Sequence, residues 1–589
     1  MKSVLLLFSM VFLLVVSTFA QSYDPQYVSK VSGDTLYVKD DIDFGSTNTL
    51  TLLMASDTSA PADRVYLLKN GGIYSCDNNP VTSSKYRTII MGPTQTSLKV
   101  NKGMAPPIIS GTNSTNTTSY GGMTINKDLL IKNVDLEIGN SAGNGGGWAF
   151  FGFGGAGMRL QVDNCIMEHT WWCWVGGPPA NTSVFFTNDY MVNMDGHTCR
   201  RNGGITDFNS GGVTQEDTLF VENCTHVNFQ GTAYKFRYGV NVHKVVFNHN
   251  DFIDCAGYIF MNNGDQTNMS ETNNIFVNCQ LQGYAPPLFK ADAGEVDMDG
   301  EAMGLVNLRV DSTFNTNGKN FYADANLAYW DPSLSDIVST LNSNKVDGST
   351  QWVSQMITMN SRTDSLFQDK TNYPLLTNGK WYNQLPTFKN TDVLFTTQLA
   401  TIKAYAIACV DTSYGTPMPS WRQSSNPEAS NFIYADWPIP IDLSYTDSNL
   451  LTAGLGSFPL GDLNWFPSTY VTWKAQESTE LAAIANVLAN GPTAVESIPS
   501  VPNKFELQQN YPNPFNPSTD ISYTIPKSSF VTLKVYNMLG QEVATLVNGF
   551  KSANTYNVQF NAAGLASGIY IYELKAGDNV ISKKMILMK

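Results

Sequence analysis

The sequence predicts an all-β chain: a solenoid of short parallel strands, then a small C-terminal β-sandwich. Three observations carry this. Residues 219–231 read LFVENCTHVNFQG and residues 245–257 read VVFNHNDFIDCAG, with apolar, polar and glycine positions nearly coincident. One column of the repeat holds Asn133, Asn164, Asn188, Asn223, His249 and Asn273, at steps of 31, 24, 35, 26 and 24 residues. Repeats of this length built from four to six alternating Val, Ile and Phe positions signal stacked strands rather than helices. Period-two alternation returns after residue 505, at Ile521, Tyr523 and Ile525 and at Val531, Leu533 and Val535.

The chain opens on MKSVLLLFSMVFLLVVSTFAQS. Lys2 supplies a positive end, Val4 to Val16 is almost wholly apolar, and Thr18 and Ala20 are the small residues of a cleavage site before Gln21. That pattern predicts a secretory signal peptide over 1–20 rather than a membrane anchor, and no later stretch is apolar enough to span a bilayer. Hydrophobic residues make up 42% and charged residues 15% of the chain, a composition that folds rather than stays disordered. The net charge of −14 argues against nucleic acid as a partner, because phosphate contacts need a basic field.

Residues 21–330 carry the solenoid. A single coil cannot bury its apolar side, but coils stacked about 4.8 Å apart place like residues above like. A second column holds Met167, Met191, His226, Phe252 and Phe276; a third is polar, with His169, Asn193, Asn228, Asp254 and Asn278. The asparagines are expected at turns, with their amides bonding up and down the pile. Cys255 and Cys279 share a column one coil apart, which permits a disulfide, although free stacked thiols are the reading preferred here. Cys165 and Cys224 are separated by the coil of Asp189 and cannot bond. With the first coils at RVYLLKNGGIYSC and PPIISGTN, this region, roughly residues 60–320, resembles the right-handed parallel β-helix of pectate-lyase-like proteins. The resemblance speaks for fold and leaves activity open.

Residues 331–490 are expected to form a helix- and loop-containing cap. Helices are predicted in DPSLSDIVSTLNS, FTTQLATIKAYAIACV and ESTELAAIANVLANG, the last stopped by Gly491, with DWPIPIDLSY and FPLGDLNWFP lying over the flank. Residues 491–504 read as a linker. The remaining 505–589 contain Tyr511-Pro512-Asn513-Pro514-Phe515-Asn516-Pro517, Leu539-Gly540-Gln541-Glu542-Val543, Ser567-Gly568-Ile569-Tyr570 and Lys583-Lys584-Met585. On these residues the module closely resembles the type A C-terminal sorting domain of the bacterial type IX secretion system. The resemblance implies an outer-membrane translocon as partner and a destination outside, or on the outer surface of, a Gram-negative cell.

Chemistry is less legible. In GTAYKFRYG, Lys235 and Arg237 point to the side opposite Tyr234 and Phe236, and the coil register places Arg200 above Lys235. Three cations one coil apart want an anion, and a uronate carboxylate would serve. The lyases that the fold resembles use Arg or Lys as base, so Lys235, Arg237 and Arg200 are the candidate catalytic residues. The competing reading pairs them with Asp207, Glu216 or Asp217. Trp172 and Trp174 share a face suited to stacking on sugar rings or to filling a wide coil, and His197 and Asn263 join them as substrate-binding candidates. Glu295, Asp297 and Asp299 suit Ca²⁺, but an EF-hand loop would put its twelfth ligand at Val306, so an acidic surface loop is the alternative. No other cofactor is implied. The expectation is a secreted or surface β-helix that recognises extracellular polysaccharide, with cleavage by a lyase or glycoside hydrolase mechanism in view. The alternative class is a non-catalytic structural or adhesive protein.

Overall fold

A computed structural model describes residues 23–76, 80–111, 122–137, 149–170, 172–194, 204–208, 215–236, 240–262, 268–282, 303–308, 320–343, 352–389, 398–408, 437–492, 505–525, 529–551, 554–577 and 579–588. Residues 1–20, expected to be a signal peptide, lie outside these. Each coil contributes one short strand to each of up to three sheets, as with Arg159–Asp163, Ile166–Glu168 and Cys173–Gly176, followed one coil later by Ser183–Thr187, Tyr190–Val192 and Gly204–Phe208. The first sheet has 12 strands, the second 10 and the third 6. Apart from the opening pair Val28–Ser32 and Thr35–Val38, which is antiparallel, the strands run parallel. This is the parallel β-helix that the repeat predicts. Leu376–Asn378 and Trp381–Tyr382 extend the first and second sheets past residue 330.

The columns stack as read. Met191 pairs with His226, His226 with Phe252 and Phe252 with Phe276. The imidazole of His226 lies flat on Phe252, centroids 4.1 Å apart, with Nε2 2.7 Å from the Tyr234 hydroxyl and Nδ1 3.1 Å from the Asp251 carbonyl. Burial drives its pKa down to about 3, so it is a neutral core histidine.

Backbone geometry, more than amide stacking, explains the polar columns. Asn133, Asn164, Asn188, Asn223, His249 and Asn273 all have φ between 53° and 62°, and so do His169, Asn193, Asn228, Asp254 and Asn278. Each coil turns its two described corners through one left-handed residue, a conformation that Asn, Asp and His tolerate and β-branched residues do not. Among these corner amides, Asn164 bonds Asn133 at 2.8 Å, whereas Asn188 bonds Asp163 and Asn273 bonds Asn248. The continuous amide ladder lies one residue further on. Asn250, Asn274 and Asn326 are fully buried; Asn274 and Asn326 each accept through Oδ1 from the backbone and side-chain N–H of the asparagine one coil earlier, and Asn250 Oδ1 accepts from the Cys224 N–H.

Cys165, Cys224, Cys255 and Cys279 are buried free thiols, and Cys76 and Cys173 are buried as well. Burial pushes the Cys165, Cys224 and Cys279 thiols well up.

The second sheet is mainly apolar on both faces, with Asp135, Glu137, Glu168, Thr225 and Asp251 as buried polar exceptions on the outer one. Its inward residues join the main core, while Ile166, Tyr190, Val192, Val227, Ile253, Ile275 and Val277 face outward against Ile439, Ile441, Leu443, Leu450, Leu460 and Trp465. Residues 437–467 therefore form a strap along that sheet, which explains its double-sided hydrophobicity. Helix Glu477–Asn490 follows and sets Ile484 and Leu488 on Tyr322 of the first sheet. Helices Ile337–Ser343 and Leu399–Ala408 pack together over Ala256 and Leu281.

The C-terminal module has its own core in a sandwich of three plus four antiparallel strands. Ile521, Tyr523, Val531, Leu533, Val535, Tyr572 and Leu574 are buried, and Ile569 and Ile571 face out. The YPNPFNP segment is tied to the last strand: the Phe515 N–H donates to the Ile586 carbonyl at 2.9 Å, and Asn513 Oδ1 accepts from the Ile586 N–H at 2.9 Å. Asn537 and Gly540, at φ 77°, close the tight turn of the NMLGQ stretch.

Candidate functional site

The third sheet, where sequence reasoning places the chemistry, offers little. Its register stacks Gly176, Asp207, Lys235 and Met261 in one column. Lys235 does point outward, yet it is 0% exposed and Asp207 is 1% exposed. The expected open cation is therefore enclosed, directly above an acid, which disqualifies it as a solvent-accessible base. Glu216 and Asp217 belong to a first-sheet strand, and Asp217 bonds Ser183 at 2.7 Å. Trp174 is another correction. It is fully buried, packed on Phe150 with centroids 5.2 Å apart, and donates its indole N–H to Met194 Sδ, so it fills the coil, the alternative to an exposed stacking face. Trp172 is half-buried beside it. Arg200, Arg237, His197, Asn263, Glu295, Asp297 and Asp299 lie outside the described residues. Among the described residues no group of three or more His, Cys, Asp or Glu side chains is placed to hold a metal ion.

A cleft of about 320 Å³ opens instead at the corner between the first and second sheets. Its floor is the end of three successive coils, at Lys132, Asp163 with Asn164, and Asn188. One wall is residues 95–100; the other is Asn464, Pro467, Tyr470 and Val471. The two walls are pinned by a buried ion pair, Lys99 with Asp462, both 0% exposed, and Lys99 also donates to the Asn223 carbonyl at 2.7 Å.

The floor is a connected polar network. Lys132 Nζ lies 2.5 Å from Asp163 Oδ2. Asp163 Oδ1 accepts from Thr187 Oγ1 at 3.0 Å and Asn188 Nδ2 at 2.7 Å. Asn188 Oδ1 in turn accepts from Asn464 Nδ2 and the Tyr470 hydroxyl, each at 3.1 Å. Asn164 is fixed by the Leu98 N–H at 2.9 Å. Burial, reinforced by Asp163, Glu477, Asp462 and Glu222, raises the Tyr470 pKa far above its usual value, so its hydroxyl keeps its proton.

This arrangement presents neutral donors and acceptors around one compensated ion pair. The one fixed cation and the one carboxylate of the lining neutralise each other, and amides and a hydroxyl supply donors and acceptors beside the apolar edges of Val100, Pro467 and Val471. A glycosidase needs two carboxyl groups about 5–9 Å apart, and Asp163 is the only carboxylate among the lining residues. The lining holds no His, Cys or Ser–His pair to act as nucleophile or base. Sequence reasoning missed this site because its walls lie hundreds of residues apart. The Asn column was the one visible signal.

Residues 509–588 match the family model described as a secretion system C-terminal sorting domain. The C-terminal sandwich is a sorting domain. The chain is therefore a secreted or cell-surface protein that engages type IX secretion machinery, and the motifs tied to its last strand belong to that signal. No curated protein matches the chain in sequence. Among the described residues no helix is long and apolar enough to cross a membrane.

Proposed function

We propose that this protein is displayed or released outside the cell, where its β-helix recognises extracellular polysaccharide without cleaving it. The observation that carries this reading is the corner cleft: preorganised amides, a capped charge pair and a tyrosine hydroxyl beside apolar edges. That mixture suits the hydroxyls and C–H faces of a sugar. The resemblance to pectate-lyase-like β-helices points the same way. The enclosure of Lys235 above Asp207 weighs against lyase chemistry on the third sheet. In this reading residues 21–382 are the binding solenoid, the segments up to 490 line and cover its flank, and the linker 491–504 joins it to the sorting domain.

The test is to pass the full chain over arrayed and insoluble polysaccharides while following the ultraviolet absorbance of unsaturated products with soluble uronate polymers. Retention on a glycan class with flat absorbance is expected. Absorbance that rises with time, or no retention on any glycan, would refute the reading.

A further inference from the structure

Lys99 and Asp462 meet where water does not reach. Each side chain is 0% exposed, and Lys99 Nζ touches Asp462 Oδ2. Holding two opposite charges there costs the hydration of both, and a proton passed from the ammonium to the carboxylate removes the charges altogether. A primary amine then faces a carboxylic acid, and these are the two partners of an amide bond.

The two oxygens of Asp462 are held differently. Oδ1 accepts two N–H groups of Asn464, one from its backbone and one from Nδ2, each at 2.9 Å. Paired N–H donors of this kind draw negative charge onto a carbonyl oxygen and steady it when a nucleophile adds. Oδ2 faces Lys99 and accepts the Thr225 hydroxyl at 2.8 Å. The Thr225 oxygen itself takes the Trp465 indole N–H at 3.0 Å, which leaves its own hydrogen directed at Oδ2. One oxygen is thus set as a carbonyl and the other as a leaving group. Lys99 is aimed by a second bond, from Nζ to the Asn223 carbonyl at 2.7 Å. Asn223 also grips the strap, its Oδ1 accepting from the Leu463 N–H at 3.1 Å.

Two other buried acids stand close by. The Asp251 carboxyl lies against Gly461, whose φ is 76° and where an added Cβ would fall 2.0 Å from Asp251 Oδ1. Asp189 is 0% exposed and accepts the Cys165 N–H at 2.8 Å. Burial holds both carboxyls well above their ordinary range, so they stay neutral and leave Asp462 as the acid that faces the lysine.

We propose that Lys99 and Asp462 join in an intramolecular amide bond, made by the folded chain without any enzyme. The step is a condensation. The Lys99 ammonium first passes one proton to Oδ2. The freed Nζ electron pair attacks Cγ, and the carbonyl pair moves onto Oδ1, between the two Asn464 N–H groups. The Cγ–Oδ2 bond then breaks, and Oδ2 takes a second proton from Nζ and leaves as water. What remains is one Nζ–H and one Cγ–Oδ1 carbonyl, so atoms and charge balance and no oxidant or cofactor is consumed. Fixed geometry supplies the encounter, and the absence of water at the site protects the product from hydrolysis. The bond would tie residues 97–100 covalently to the strap 437–467 and so fasten both walls of the cleft. It stands whether or not the cleft binds glycan.

Peptide mapping of the full chain, unfolded in denaturant and then cut with trypsin, reads the bond directly. Trypsin does not cut after an acylated lysine, so residues 88–102 should emerge joined to 423–474, lighter than the two peptides together by one water. Fragmentation should place the branch at Lys99 and Asp462. Lys99→Arg keeps a buried cation but offers no amine, and should release 423–474 unbranched. On a reducing denaturing gel the native chain, closed into a ring, should run ahead of that variant. Should the variant not fold, the native map decides alone. Recovery of 423–474 wholly unbranched from the native protein, or a branch at any other pair of residues, would overturn the proposal.

Discussion

Replacing Asn274 by alanine tests the stacking of the coils at its most exacting point. Asn274 is 0% exposed and sits mid-way along the buried amide ladder. Its Oδ1 accepts from the Asn250 N–H at 3.0 Å and from Asn250 Nδ2 at 3.0 Å. Its Nδ2 donates to the Phe247 carbonyl at 3.1 Å and to Asn326 Oδ1 at 3.1 Å. Alanine removes all four bonds and leaves two buried Asn250 donors and the Phe247 carbonyl with nothing in reach through this side chain. At about 1 kcal/mol net for each hydrogen bond, the loss comes to about 4 kcal/mol. Folded domains have only about 5–15 kcal/mol to spare, so the change should be conspicuous. Denaturant unfolding of the full chain, followed by far-ultraviolet circular dichroism, should show a clearly lower midpoint with an unchanged slope. Exchange protection should fall most in the neighbouring coils 241–282, because each coil contacts its neighbours. A loss below about 1 kcal/mol would refute the assignment of the ladder as a main fastening between coils.

Three further outcomes follow from the buried charges and thiols. Burial raises Asp254 to about 7, Asp135 to about 8 and Glu216 to about 8. Each is harder to ionise folded than unfolded, so its contribution is full below about pH 4 and is lost as pH climbs towards those values, at up to about 1.4 kcal/mol per pH unit per group. His226, depressed to about 3, works the other way and withdraws stability as pH falls below about 6.5. With three acids against one histidine, thermal melting should occur at a higher temperature near pH 5 than near pH 8; the reverse order would contradict the buried, protonated acids. Lys99→Ala leaves Asp462 buried without its cation, so about 3–5 kcal/mol of local stability should vanish. Limited proteolysis should then cut within the strap 437–467, and an unchanged digestion pattern would show that the pair does not pin it. Native-state alkylation should spare Cys165, Cys224, Cys255 and Cys279, all buried, and modify them only on unfolding.

The parts of this molecule that repeat are legible in its sequence, and the parts that do not repeat are hidden. The Asn164, Asn188 and Asn223 column stands out because every coil must turn a corner with a left-handed residue, and few side chains allow it. Its neighbour, the ladder of Asn250, Asn274 and Asn326, escapes notice because Cys165, Asp189 and Cys224 occupy the same column in earlier coils. The sorting domain is legible for a different reason: its motifs serve a tight turn and the fastening of one segment to the last strand, both local demands. Lys235 misleads because alternation says only that a side chain points away from the solenoid axis. On this protein the outward side of a coil is repeatedly enclosed, as Val192, Val227 and Ile253 show on the second sheet. The cleft is illegible for want of any local pattern. Lys132 and Asn188 belong to the repeat, while Ser97, Asn464 and Tyr470 arrive from segments with no period at all.

The most direct test of the cleft is calorimetric titration of the full chain with the glycan it retains best, alongside Asn188→Ala. Asn188 Oδ1 holds both Asn464 and Tyr470, and its nitrogen holds Asp163, so its loss should disorganise floor and wall together. The account predicts at least about tenfold weaker binding, equivalent to about 1.4 kcal/mol. Equal affinity in the two proteins would contradict it.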